Sequence, residues 1–406
     1  MLRQGRYSAD IAYYYSETSN LTTRFKDSRP EIPEGFAFDY VNRSVLLDVL
    51  KLDGDRLTTA SGMSYRALIL DNECFYMSIP VLRRIREFAD AGVIIAGAEP
   101  LNYCNLKGSK AEFKALVKDI WHSGRSNVVP ISACGEALEA AGVTKDVEIV
   151  NCNSSDIRFV HRKLQNGELY WIANICPSYN EVDVNFRVSG KKPKLLHADT
   201  GLIEDVSYRM AGGRTHIHLD MVPDDAVFIL FTKDTDAGEL ELPRRYVSMV
   251  NSIGGAWDVE FLNRDGSTLK KAGFGKLQGF EKSADPDIRY FSGTAVYRKT
   301  FEFHGNGSGQ YILDLGKVFN MAHVYLNGVD LGLAWKVPYR LDVSEALMDG
   351  DNRLEVRVIN SWVNRLIGDE QPGAARSTYI AYRQYWPEDE LLPSGLLGPV
   401  RIVAVR

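Results

Sequence analysis

The sequence predicts a multidomain chain: a small α/β domain with a doubly wound parallel sheet, followed by two all-β sandwiches, the last of jelly-roll type. Three observations predict this. At 406 residues the chain exceeds what one ordinary hydrophobic core organises. Up to about residue 145, short continuous apolar runs alternate with segments of helical periodicity, the pattern of strand–helix units. After Asp146 the period drops to two, in short segments separated by Gly, Asn, Asp and Pro, as in antiparallel sandwiches.

In order, "ADIAYYYS" (Ala9 to Ser16) is an apolar run ending in polar residues, a buried strand that leads into a loop. "DYVNRSVLLDVL" puts Val41, Val45, Leu46 and Val49 at helical spacing. "YRALILD" (Tyr65 to Asp71) reads as a second buried strand. "SIPVLRRIREFADAG" has Pro80 near a helix start, Leu82, Ile85 and Phe88 on one face, and Gly92 as its stop. "VIIAG" (Val93 to Gly97) is a third strand and "KAEFKALVKDIW" another amphipathic helix. The segments "DVEIVN", "IRFVHRKL", "GELYWIANI", "EVDVNFRV", "KPKLLHAD", "THIHLDM" and "AVFILFT" then form the first sandwich. After "DAGELELPRR" the strands Trp257 to Leu262, Thr294 to Phe303, Gln310 to Leu315, Ala322 to Leu326, Pro338 to Val343, Asn352 to Ile359 and Pro399 to Val405 form the second. "HVYLNGVDLG" turns on Asn327-Gly328. The expected domains are 1–145, 146–237 and 238–406.

With 45% hydrophobic and 25% charged residues the composition is that of a globular protein. A net charge of −5 argues against a nucleic-acid partner, which needs clustered Lys and Arg. No apolar run reaches the roughly 18 residues of a spanning helix, so no membrane partner is expected. "MLRQGRYSAD" lacks the basic start and apolar core of an export signal. Five cysteines, Cys74, Cys104, Cys134, Cys152 and Cys176, show no C-x-x-C spacing and read as buried free thiols.

Hydrolysis of sugars needs two carboxylates about 5–10 Å apart. Glu17 and Glu99, each following a strand of the parallel sheet, sit where such sheets bind ligands, although solvated loop acids explain them as well. Cys134 in "ISACGEALEAAG" makes a poor nucleophile elbow, with no Gly two residues before it. His216 and His218 lie two apart on a strand, either half of a metal site or a solvent-facing stripe. "AGGRT" and "AGFGKLQGF" carry glycines without the helix that a phosphate loop requires. The last block differs. Trp335, Trp362 and Trp386 fall beside Asn360, Asn364, Arg365, Asp369 and Tyr382 in its loops. Sugars stack a CH-rich face on aromatic rings while planar polar groups grip the hydroxyls. The candidate carbohydrate-binding residues are therefore Trp335, Trp362, Asn364, Arg365 and Trp386. Covering an interface with a neighbouring domain explains the aromatics equally well.

"YFSGTAVYRKTFEF", "LDLGKV", "VYLNGVDLG", "PYRLDVSEALMDGDNRLEVRVIN" and "LLPSGLLGPVRI" resemble the galactose-binding-like jelly roll of large glycoside hydrolases. Together with "NSWVNRLIGD", "GFAFDYVN", "SGMSYRALIL", "AGVIIAGAEP" and "IRFVHRKL", the whole chain resembles the C-terminal region of family 106 glycoside hydrolases, the α-L-rhamnosidases. "ADIAYYYSE" and "AGVIIAG" are also similar to a flavodoxin-like, amidotransferase-like accessory domain that has lost its nucleophile, in line with the poor elbow at Cys134. The resemblance implies that the catalytic glutamates and a calcium ion belong to a (β/α)₈ barrel of about 250 residues preceding this region. On that implication no catalytic residue is expected here. The chain would support the barrel and hold a rhamnose-containing polysaccharide, and relatives would be periplasmic or secreted. No cofactor is expected beyond a structural Ca²⁺, for which Asp314, Asp330 and Asp342 are available, although they read as turn and cap residues. A hydrolase acting through Glu17 and Glu99 and a purely structural assembly module are the rival expectations.

Overall fold

The computed structural model describes residues 1–19, 30–104, 109–153, 156–305 and 309–405. They form two compact units, Met1–Leu242 and Pro243–Arg406, and the content is mostly β.

In the first unit, strands β1 (Ile11–Tyr14), β2 (Phe38–Val41), β3 (Ala67–Leu70), β4 (Ile94–Ala96) and β5 (Val128–Val129) make one sheet in the order 5-4-3-1-2. Every pairing is parallel. Successive side chains of a strand point to opposite faces, and both faces here are covered. Ala12, Tyr14, Leu68, Leu70 and Ile95 pack against helices α1 (Ile79–Asp90) and α2 (Lys110–Trp121), through Leu82, Ile85, Phe88, Phe113 and Ile120. Ile11, Tyr13, Ile69, Ile94 and Ala96 pack on the other side against Leu138 and Cys134 of α3 (Cys134–Ala140). Burial on both faces is why these strands read as continuous apolar runs rather than alternating ones.

The predicted helix borders hold where the caps are chemical. Pro80 lies in the first turn of α1, and Gly92 beyond its end takes φ +89°. The Ser109 hydroxyl accepts from the Ala111 and Glu112 amides at the start of α2. One reading is corrected. Val41 closes a strand, and the expected amphipathic helix is a single π turn, Val45–Val49, that buries only Leu46. The Asn42 side chain accepts from the Val45 amide and interrupts the chain between the two elements.

Beside a small three-stranded sheet (Lys51–Asp53, Arg56–Thr58, Ser64–Tyr65) and a two-stranded one (Tyr76–Met77 with Asn102–Tyr103), this unit contains two larger antiparallel sheets face to face. One runs Arg6–Tyr7, Ile157–Lys163, Glu168–Asn174, Ala226–Asp234, Lys191–His197, Ile203–Asp205. The other runs Val147–Ile149, Asn180–Phe186, Arg214–Met221, Tyr208–Ala211, Glu239–Leu240. Tyr170, Ile172, Ile229 and Phe231 from the first meet Val182, Val184, Phe186 and Ile217 from the second. Each fully buried Val, Leu, Ile or Phe of such a core contributes about 1.5–3 kcal/mol.

The second unit packs a four-stranded and a six-stranded antiparallel sheet around one core that includes Trp257, Phe261, Phe280 and Tyr297. Thr294–Phe303 lies in the middle of the six-stranded sheet, paired along its whole length with Gly350–Ile359 and on its other edge with Trp257–Leu262. Just before it, Gly293 takes φ +149°, and a Cβ there would sit 3.0 Å from the Phe291 ring, so close packing explains the glycine. Asn327 and Gly328 both have positive φ in the hairpin turn, as a two-residue type I′ turn demands.

Candidate functional site

Glu17 and Glu99 have separate partners. Glu17 follows β1 with its side chain nearly buried; its carboxylate accepts from Arg43 Nε at 2.9 Å and from the Ser78 amide at the start of α1 at 2.5 Å. Both oxygens are thus engaged by the fold. Glu99 faces solvent and pairs with His122 at 2.8 Å.

The thiols divide by place rather than forming one class. Cys74 and Cys134 are buried, Cys152 and Cys176 half-buried, and Cys104 exposed, which corrects the uniform expectation. Burial pushes the Cys134 thiol up to about 12, so it stays protonated and unreactive.

His216 and His218 project from the outer side of their strand, where their Nδ1 atoms meet Asn185 and Asp183 across the strand pair at 2.5 and 2.7 Å. Asp314, Asp330 and Asp342 accept from the Gly316, Gly332 and Ser344 amides two residues on. Asp314 is also bridged by Arg340 and Arg401, and Asp330 by His323. These carboxylates thus serve as turn and cap residues. Among the described residues no group of three His, Cys, Asp or Glu is placed to hold a metal ion.

The loops after Gly350–Ile359 are built differently. Asn360 ends the strand; its amide donates to the Phe291 carbonyl at 2.8 Å and its oxygen accepts from Gly293 N at 2.9 Å. The chain then turns through exposed Trp362 into α4 (Val363–Asp369). Gly368 belongs to this helix because a Cβ there would meet Tyr290 at 2.6 Å. At the helix end Asp369, itself buried, accepts from the Thr378 and Ser377 amides at 2.8 and 3.1 Å and pairs with Arg365 at 2.7 Å. Burial alone would raise its carboxyl, but the Thr378 and Ser377 hydrogen bonds and the Arg365 charge hold it below its ordinary value. Glu370 pairs with Arg376 and, at 3.0 Å, with Arg383, whose guanidinium lies 3.9 Å over the Trp386 ring.

The five sequence-predicted residues therefore fall into two kinds. Trp335, Trp362 and Trp386 are 51%, 52% and 46% exposed, with Tyr379 and Tyr382 more exposed still. Asn364 is 2% exposed, and its amide both donates to and accepts from Leu392. It and Arg365 hold the loop rather than face solvent. Among the described residues no ring contact joins Trp335, in its own loop, to Trp362 or Trp386.

Sequence reasoning missed a buried polar network in the first unit. His161 lies between Asp146 and Glu168, 2.8 Å from each, and stacks on Tyr170 with centroids 4.0 Å apart. Asp146 also accepts from the Tyr170 hydroxyl at 2.9 Å, and Arg187 reaches Asp10 at the same distance. The Asn166-Gly167 turn was the available signal, because it fixes the hairpin that sets His161 opposite Tyr170.

A family model described as alpha-L-rhamnosidase matches residues 1–210, and another, described as glycosyl hydrolase 2 galactose-binding domain-like, matches residues 280–386. A curated protein of Formosa agariphila, described as a putative beta-glucuronidase, is 23% identical over 99% of this chain and 56% of its own length. The solved rhamnosidase of Novosphingobium sp. PP1Y is 36% identical with a TM-score of 0.84, over 99% of this chain and 39% of that one. This chain thus spans about half the length of the curated relative it matches.

Proposed function

The chain belongs to glycoside hydrolase family 106, the α-L-rhamnosidases, and from that premise we propose that its own role is to bind carbohydrate and support a catalytic barrel, not to cleave the glycosidic bond. The observation that carries this reading is the pair of exposed rings, Trp362 and Trp386, on a loop tied down by Asn364, Asp369 and Glu370. A sugar stacking on a ring gains most when the ring is already ordered, since the loop then loses little entropy on binding. Rhamnose, a 6-deoxy sugar, presents a methyl group as well as a CH face to such rings.

The ligand in this proposal is a rhamnose-containing polysaccharide, with Trp335 as a further contact and Asn364 and Arg365 as loop-holding residues. The parallel sheet, in its 2-1-3-4-5 order, supports reading residues 1–145 as a flavodoxin-like, doubly wound, amidotransferase-like accessory domain. Residues 146–237 and 238–406 would be a sandwich and a galactose-binding-like jelly roll.

Two assays test the proposal. The purified chain is expected to leave an aryl α-L-rhamnoside intact while a barrel-containing relative hydrolyses it. Turnover that survives purification would refute the non-catalytic reading and send the search to Glu17. By calorimetry, rhamno-oligosaccharide is expected to bind at about 0.1–1 mM, and Trp362→Ala to weaken it roughly three- to tenfold. Unchanged affinity in that variant would remove the tryptophan loop from the proposal.

A further inference from the structure

The outer face of the six-stranded sheet in the Pro243–Arg406 unit carries a second feature, sharing no residue with the tryptophan loop. Strand alternation sends Tyr297, Phe301, Leu354 and Val356 into the core, and turns Arg298, Thr300, Arg353, Glu355 and Arg357 outward. With Tyr325 and the Gly328 turn, these residues line a cleft of about 450 Å³. Three guanidinium groups, Arg298, Arg353 and Arg357, face it with one carboxylate, Glu355. Glu260 pairs with Arg298 as well, so two carboxylates stand against Arg298 and Arg357 and Arg353 is the cation left over.

Arg298 and Arg357 are paired and held in place. Glu355 accepts from Arg298 Nε at 2.9 Å and from Arg357 Nε at 2.7 Å, one on each oxygen, so one carboxylate orients two guanidinium groups. Arg357 is further fixed 4.8 Å over the Tyr325 ring. Arg298 also reaches Glu260 at 2.7 Å. Arg353 has no acidic partner among the described residues. Its planar fork, free in a cleft whose other cations are already oriented, matches a carboxylate donated from outside. The hydroxyls of Thr300 and Tyr325 add groups suited to sugar hydroxyls.

We propose that this cleft binds the carboxylate of a uronate residue in an acidic saccharide. The inference takes only its ligand class from the carbohydrate reading above. Its test is titration calorimetry of the whole chain with tetragalacturonate, its methyl ester, and poly-L-glutamate. Expected results are binding of tetragalacturonate that weakens with added salt, no heat from the ester, and roughly tenfold weaker binding in Arg353→Ala. Arg353 is exposed, so this variant keeps the fold, and Arg353→Lys should recover part of the loss. Trp362→Ala should leave uronate binding unchanged even where it weakens binding of the neutral sugar, which separates this proposal from the tryptophan loop. Equal binding of the ester or of poly-L-glutamate, or full affinity in Arg353→Ala, would overturn it.

Discussion

His161→Gln should destabilise the Met1–Leu242 unit, most strongly under mildly acidic conditions. The ring sits between Asp146 and Glu168 with 2.8 Å to each, in the strand whose His161 carbonyl accepts from Ser8 N. On the other side of the same network, Asp146 N donates to the Gly35 carbonyl beside the parallel sheet. Burial would lower the pKa of His161, but its hydrogen bonds to Asp146 and Glu168 raise it above the ordinary 6.5; burial would raise that of Asp146, but His161 and Arg187 lower it below 3.8. The signs then fix the window. The raised histidine contributes fully below pH 6.5 and loses its contribution as pH climbs through its folded value. The depressed carboxylate contributes above pH 3.8 and loses its contribution as pH falls through its folded value. Both are present together between those limits.

Removing one partner of a buried pair costs about 3–5 kcal/mol. The Tyr170 hydroxyl stays on Asp146, with Arg187 at 3.5 Å, and Glu168 is partly solvated, which places the loss near the lower bound, about 3 kcal/mol. At roughly 2–4 °C per kcal/mol for a unit of this size the midpoint falls by about 6–12 °C. Thermal unfolding followed by tryptophan fluorescence at about pH 5, 7 and 9 reads this out, with Trp171 in the neighbouring strand as reporter. The wild type should lose stability as pH rises past its histidine, and the variant should show a flatter alkaline limb with a smaller deficit there. An unchanged midpoint at the acidic end, or the same slope in both proteins, would mean that the network adds nothing the two apolar cores do not already supply.

Asp369→Asn replaces a carboxylate that only accepts with an amide that must also donate, into a site where Thr378 N, Ser377 N and Arg365 all donate. A local loss of about 1–3 kcal/mol follows; hydrogen exchange should speed up across 370–390, sugar affinity should fall, and Gly350–Ile359 should keep its protection. Equal exchange in variant and parent would refute the pinning role. Gly395→Ala puts a Cβ 2.7 Å from Phe280 and from the Tyr297 hydroxyl, at φ +97°. Overpacking and strain together should destabilise the second unit by roughly 2 kcal/mol or more, and an unshifted denaturation midpoint would show that the aromatic cluster can yield.

The elements legible in the sequence were those whose burial leaves a local pattern. Trp257–Leu262 and Thr294–Phe303 stand where alternation put them, and β1, β3 and β4 where continuous apolar runs did. Edge strands were less legible. Among the described residues Thr268–Phe274 pairs only with Trp257–Leu262 and leaves most of its side chains in water, so its Ala272-Gly273 end read as a glycine loop. Exposed Val247–Ser252 left no mark for the same reason. At the candidate site the tryptophans were legible as types, while the role of Asn364 was not. Whether a polar residue faces ligand or backbone depends on a partner, here Leu392, 28 residues away.

The two regions that sequence reading could not resolve share one physical device. Asp146 and Asp369 are both buried carboxylates that gather donors from separated stretches of chain: His161, Tyr170 and Arg187 in one case, Arg365, Ser377 and Thr378 in the other. A buried carboxylate is costly in any arrangement that leaves it short of donors. It therefore penalises alternative loop and interface conformations more sharply than an apolar contact, which tolerates sliding. In the first unit that selectivity fixes the sandwich against the parallel sheet. In the second it fixes a loop too polar to bury itself, and the exposed rings of Trp362 and Trp386 sit on that pinned loop, the condition the proposed stacking surface needs to bind sugar without first ordering itself.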